Sequence, residues 1–184
     1  MTAEPIRATV HIQAPPERVF EHFTRPEALL LWMGAHAVLD PAPGGEFTVD
    51  IRGVPVRGRY LQVEPPCRLL ISWGHAGSDR LPPGASLLDV RLHPAPGGMT
   101  VTISHSGLPQ PEATGHRQGW RQFLDQLAMV AREWGRGASH VPATPGSPCR
   151  TARRTACAGP PMTAEPIGGD RGRVVDVGVV RSSY

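Results

Sequence analysis

The chain contains no lysine: all 19 of its basic residues are arginine. This is read as the codon signature of a GC-rich genome rather than a functional choice. Aromatic residues make up only 5% of the 184 positions. Cysteine is scarce too. Cys67 stands in a Pro-Pro-Cys turn, while Cys149 and Cys157 follow far downstream with neither CxxC spacing nor a histidine in metal-ligand register, which argues against a zinc site. No apolar run is long enough to span a bilayer, and Met1–Arg7 holds no apolar signal core. With an odd cysteine count, these absences lead to the expectation of a reducing, cytoplasmic setting. No phosphate loop, dinucleotide fingerprint or nucleophile elbow is present. Pro43–Gly45 and Pro96–Gly98 carry glycine pairs but lack the strand-to-helix context such motifs need. No cofactor and no metal are therefore expected.

Charge divides the chain. Residues 1–138 hold 13 arginines and 13 acids, so that part is neutral. Residues 139–184 hold 6 arginines and 3 acids and account for the whole net charge of +3. The first part offers no electrostatic case for nucleic acid or an anionic membrane. Hydrophobic residues form 40% of the sequence, enough for a core, but Gly and Pro number 21 each. Before about residue 110 they punctuate periodic segments. After residue 138 the periodicity stops, and 139–184 is expected to be a disordered Pro/Gly/Arg-rich tail following one folded domain, 1–138. Within the tail, Met162–Ile167 repeats Met1–Ile6. That is too short for a structural repeat and is read as duplicated or out-of-frame coding sequence. Val174–Val180 is a short β-prone run.

Ile6, Ala8, Val10 and Ile12 alternate with polar residues, which predicts a half-buried strand. Pro15-Pro16-Glu17 opens a short helix with proline and an acid in its first turn. Thr24 is expected to cap a second short helix that carries Leu29, Leu30, Trp32 and Met33 and ends at Gly34. His36 to Asp40 reads as loop. An antiparallel succession follows over 46–51, 54–63, 68–73, 86–93 and 99–105, separated by glycine and proline turns. Ser106-Gly107-Leu108-Pro109 breaks the last strand. A helix then runs from about Pro111 to Gly135, with Trp120, Phe123, Leu124, Leu127 and Ala131 on one stripe. This is an α+β plan, with helices on one side of a curved sheet.

Several pieces together resemble a known family: Pro26-Glu27 with Trp32; Gly44-Gly45-Glu46-Phe47; Gly58 and Tyr60 with Glu64-Pro65-Pro66; Arg68 through Trp73; Gly98, Thr100, Ile103, His105, Gly107 and Leu108; and Gly119-Trp120 with Leu124 and Leu127. Over about residues 5–135 the chain resembles the bacterial, single-domain branch of the activator of heat-shock-protein-90 ATPase homologue family, within the START-like (SRPBCC) superfamily. The resemblance implies the helix-grip fold: a curved antiparallel sheet of six to seven strands wrapped around the C-terminal helix, with two short helices after the first strand and an apolar cavity between sheet and helix. That superfamily includes lipid and hormone binders, polyketide cyclases and oxygenase domains. Eukaryotic activators of the chaperone carry an additional N-terminal domain. This chain opens its first strand by about residue 6 and is expected to lack one, so chaperone activation is not the expected role.

The expected function is non-covalent binding of a small hydrophobic or aromatic ligand, lined by Trp32, Phe47, Tyr60, Trp73, Ile103, His105, Trp120, Leu124 and Leu127. Rings with one polar handle suit a mostly apolar pocket, and equally suit a core. His105 shares strand parity with Val101 and Ile103 and should face inward. It is the catalytic candidate of an alternative, a cyclase- or hydrolase-like enzyme with Arg59 as a helper, because imidazole titrates near neutral pH. The plainer reading is a buried histidine bonded to backbone. Trp134 reads as a packing lid. His36 with Asp40, and His75 with Asp79, are weaker pairs. A chaperone-associated interaction module is a third reading. A monomer or homodimer is expected.

Overall fold

The computed structural model describes residues 4–137, with side chains as far as Glu133. The expected tail, its Val174–Val180 run and the Trp134 lid lie outside the described residues and side chains. The elements are β1 (Ile6–Ile12), α1 (Pro16–Thr24), α2 (Pro26–Leu29), β2 (His36–Leu39), β3 (Glu46–Ile51), β4 (Val54–Glu64), β5 (Arg68–Trp73), β6 (Ser86–Ala95), β7 (Gly98–Ser106) and α3 (Gln110–Gly137). All seven strands form one antiparallel sheet in the order β1-β7-β6-β5-β4-β3-β2. Among the described strands, only β1 and β7 pair without being consecutive in sequence. Their pairing runs from Ile6 opposite His105 to Ile12 opposite Met99.

Strand parity builds the core. On β7, Met99, Val101, Ile103 and His105 are buried while the residues between them are half-exposed. On β6, Ser86, Leu88, Val90 and Leu92 form the inward column. On β5 it is Leu69, Ile71 and Trp73. Apolar columns on one face of an antiparallel sheet must be covered. The cover is the stripe Trp120, Leu124, Leu127 and Ala131 of α3, together with Phe20, Phe23 and Leu29 from the short helices. The close backbone neighbours of α3 are β1 and α1. On the outer face, Arg68 Nε and Arg91 Nη2 both reach the Asp89 carboxylate, at 3.0 and 2.8 Å. The turn from β7 into α3 depends on Gly107, whose φ of +80° a side chain would strain.

Two expectations are corrected. Thr24 does not cap the second helix: its hydroxyl donates back to Phe20 O at 3.2 Å inside α1, the local bonding open to threonine in a helix. Arg25, extended at φ −116°, ends α1 and begins α2. Residues 36–39 are not loop but a short strand added beside β3, where His36 pairs with Asp50 and Leu39 with Phe47. The expected His36–Asp40 pair is accordingly not the one found: His36 Nδ1 lies 4.0 Å from Asp50 Oδ2. No helix among the described residues is long and apolar enough to cross a membrane.

Tyr60 ties sheet to helix. It is fully buried, and its hydroxyl donates to Phe23 O at 2.7 Å. Burial, and secondarily the Asp40 charge, raise the phenol's pKa, so the group stays a donor. Tyr60→Phe leaves that carbonyl without its donor and is expected to cost about 1–2 kcal/mol, measurable as a lowered urea midpoint with unchanged slope.

Candidate functional site

The inward columns end in polar side chains where β5, β6 and β7 meet α3. Trp120 Nε1 donates to His105 Nδ1 at 3.0 Å. His105 Nε2 lies 2.9 Å from Ser86 Oγ, and Ser86 Oγ donates to Trp73 O at 3.0 Å. An indole N–H can only donate, so Nδ1 of His105 must accept. The neutral ring then carries its proton on Nε2 and gives it to Ser86, whose own hydrogen goes to the Trp73 carbonyl. Both ring nitrogens are engaged, and the residue is 0% exposed. Burial, then the charges of His116 and His75, push the His105 pKa down to about 3. A neutral, sealed imidazole with its lone pair occupied is a poor general base.

Outside this sealed layer lies a cleft of about 300 Å³. The end of the β3–β4 hairpin, Trp73 and His75 form one wall, and the first turns of α3 form the other. Arg52 and Gly53 make the hairpin turn at φ of 50° and 82°, the two-residue turn whose twist suits an antiparallel pair. That turn carries the Arg52 guanidinium to 5.5 Å above the Phe123 ring and to 3.2 Å from Gln122 Oε1. His75 follows β5 and is held by backbone bonds: its N–H donates to Leu81 O at 2.7 Å, and Ala76 N–H donates to Pro55 O at 2.9 Å. Its ring stacks on His116, 5.5 Å between centroids and 10° from parallel. His116 in turn meets the sealed His105 edge-on at 5.2 Å. Burial, then the charge of His116, lowers the His75 pKa, against a smaller opposing effect of Glu112. Gly115 and Gly119 also line the cleft, and a Cβ at Gly115 would meet nothing within 4 Å.

Of the residues expected to line a pocket, Trp73 and Trp120 stand on the cleft wall. Their rings are 5.4 Å apart, and Trp73 Nε1 is buried with no hydrogen-bond partner among the described residues. Phe47 lies one layer back, 5.8 Å from Trp73 and 5.5 Å from Tyr60. Tyr60, Ile103, Leu124 and Leu127 are core residues away from the cleft wall, and His105 is sealed behind it. Trp32 donates to His22 O at 3.0 Å and lines a separate cleft of about 340 Å³, which shares Ile51, Arg52 and Phe123 with the first. Arg59 is on the outer face, donating to Gly44 O. Asp79 is exposed, and no close contact links it to His75. Sequence reasoning missed Ser86, His116 and the two helix glycines. Ser86 shares parity with Leu88, Val90 and Leu92, and His116 lies one turn before Trp120 on the same stripe, so both had a periodic signal. No group of three or more metal-ligating side chains occurs among the described residues.

Three comparisons bear on this arrangement. The family model for activator of Hsp90 ATPase homolog 1-like protein matches residues 13–132. No curated protein matches the chain in sequence. Among solved structures, an AHSA1-like protein of Rhizobium etli is 40% identical, with 71% of this chain and 82% of that one covered at a TM-score of 0.59. DynU16, a protein in the dynemicin biosynthetic locus, is 26% identical at a TM-score of 0.62, with 71% of this chain and 48% of its own length covered. An HSP90 activator of Plasmodium falciparum, 19% identical at a TM-score of 0.59 over 70% of this chain and 96% of that one, shares the fold.

The sealed imidazole has a pH consequence. Unfolded, a histidine takes up its proton near pH 6.5; folded, His105 does so only near pH 3. Between those values the unfolded state binds more protons, so stability is complete above about pH 6.5 and falls as pH is lowered. Buried His22 and half-buried His75, both lowered chiefly by desolvation, act in the same direction. Stability against thermal unfolding should therefore fall from pH 7 to pH 4.5, by at most ~1.4 kcal/mol per pH unit from His105. His105→Gln should be less stable at pH 7 and show a shallower pH dependence. An unchanged slope would rule out His105 as the titrating group.

Proposed function

Because the chain belongs to the activator of Hsp90 ATPase homolog 1-like family, we propose that it uses the helix-grip fold to bind a small apolar or aromatic molecule non-covalently in the cleft between α3 and the β3–β5 side of the sheet. The observation that carries this reading is a cleft of about 300 Å³ walled by Val54, Val56, Trp73, Trp120 and Phe123 and left open on the helix side by two glycines. Small-molecule sites are concave and mostly apolar, with a few placed polar groups. Glycine inside a helix costs about 1 kcal/mol relative to alanine, and at Gly115 no neighbour requires that sacrifice. Open space borders Gly115 instead and leaves room for an occupant. The similarity to DynU16, a protein in the dynemicin biosynthetic locus, supports the same reading.

The sealed position of His105 weighs against the enzyme alternative that would use it, since substrate would have to displace both Trp120 and Ser86. For a chaperone partner, the HSP90 activator contributes likeness of fold alone.

Native mass spectrometry of freshly purified protein is expected to show a retained small molecule, and adding a cognate ligand should raise the Tm by mass action. Gly115→Leu should fill the cleft. The variant is expected to match or exceed the parent in stability, by up to ~0.8 kcal/mol from helix propensity, while losing the retained mass and the ligand-induced shift. Undiminished binding in that variant would move the ligand elsewhere.

A further inference from the structure

On the wall of the cleft, one turn before Trp120, His116 has a fixed tautomer. Its Nδ1 lies 2.9 Å from the backbone carbonyl of Glu112. A carbonyl only accepts, so Nδ1 carries a proton and the neutral ring presents a lone pair at Nε2. No hydrogen bond to Nε2 occurs among the described residues, and the ring is half-buried against the cleft. An apolar molecule entering the cleft would strip water from this acceptor and return nothing, and a desolvated acceptor left unpaired is costly. A molecule with a donor at that place avoids the loss.

The rest of the wall narrows the donor. The stack of His75 on His116, and the rings of Trp73, Trp120 and Phe123, are flat surfaces that favour a planar body. A hydroxyl on such a body gives a hydrogen and keeps lone pairs for a donor such as the Arg52 guanidinium, which lines the same cleft. Glu112, on the same wall as His116, disfavours a ligand carboxylate at this end. Resting on the reading of the cleft as a binding site, we propose that the cleft selects planar ligands bearing a weakly acidic hydroxyl, a phenol or an enol, whose hydrogen is accepted by His116 Nε2. The polar anchor of the site is then His116 and not His105.

Isothermal titration of the full chain with three probes of one shape tests this: 2-naphthol, 2-methoxynaphthalene and 2-naphthoate. The expected order places 2-naphthol about five- to tenfold tighter than 2-methoxynaphthalene, the span of one neutral hydrogen bond. In His116→Phe that ratio should collapse to about one while 2-methoxynaphthalene keeps its affinity; in His116→Gln, which restores an acceptor, part of it should return. Equal binding of the two neutral probes by the parent, or a preference for 2-naphthol that survives His116→Phe, would overturn the inference and leave the binding site standing. Tightest binding of 2-naphthoate would overturn it in favour of an anion site near Arg52. Heat from none of the three would remove the aromatic-binding reading together with the inference.

Discussion

A buried imidazole with no carboxylate in contact must be satisfied on both nitrogens, and the junction of the sheet with α3 is arranged around that demand. The indole N–H of Trp120 fills one side of His105 and the Ser86 hydroxyl the other, with the Trp73 carbonyl closing the series. The four residues come from α3, β7, β6 and β5. One run of hydrogen bonds, all pointing the same way, thus sets how the helix meets the strands. Such runs polarise one another in a low-dielectric interior, and a partly broken one is worse than an apolar core. The position of Trp120, and with it one wall of the cleft, follows from a bond made to His105 in the interior.

The molecule therefore separates two tasks that a reading of polar residues alone would merge. One histidine is held neutral in the interior and joins elements. Two others, stacked 5.5 Å apart, face the cleft. An aromatic layer runs from Tyr60 and Phe47 through Trp73 to Trp120, so the cleft wall is backed by core. The hairpin end of the cleft is lighter: a two-residue turn, an exposed guanidinium over Phe123 and one contact to Gln122.

Much of this was legible in the sequence because strands with one buried face must alternate. The strands over Ile6–Ile12, Glu46–Ile51 and Arg68–Trp73 fall where the period of two put them. The strand His36–Leu39 escaped because it is short and partly exposed, and Gly34 and Pro41 frame it like a loop. Parity correctly sent His105 inward but could not tell interior from pocket; that depended on Ser86, a serine in an otherwise apolar column. Trp73 and Trp120 reached the cleft wall, whereas Tyr60, Ile103, Leu124 and Leu127 went to the core, because hydrophobic periodicity marks the buried face and not the place where burial stops short. The void is defined by atoms that are missing at Gly115 and Gly119, and a period built on side chains does not register them.

Those two positions give the fold a kind of adjustability that its core lacks. Substitutions in a packed interior disturb neighbours on every side. A Cβ at Gly115 would meet no other atom within 4 Å beyond its own helix backbone, and one at Gly119 only an edge of Phe123 at 3.8 Å. Replacing glycine there by alanine, serine or valine adds one, two or three heavy atoms, which would shrink the cleft by degrees and leave the sheet, the hydrogen-bonded junction and the helix register as they are. The size of the cleft can thus vary on a scaffold whose folding does not depend on it.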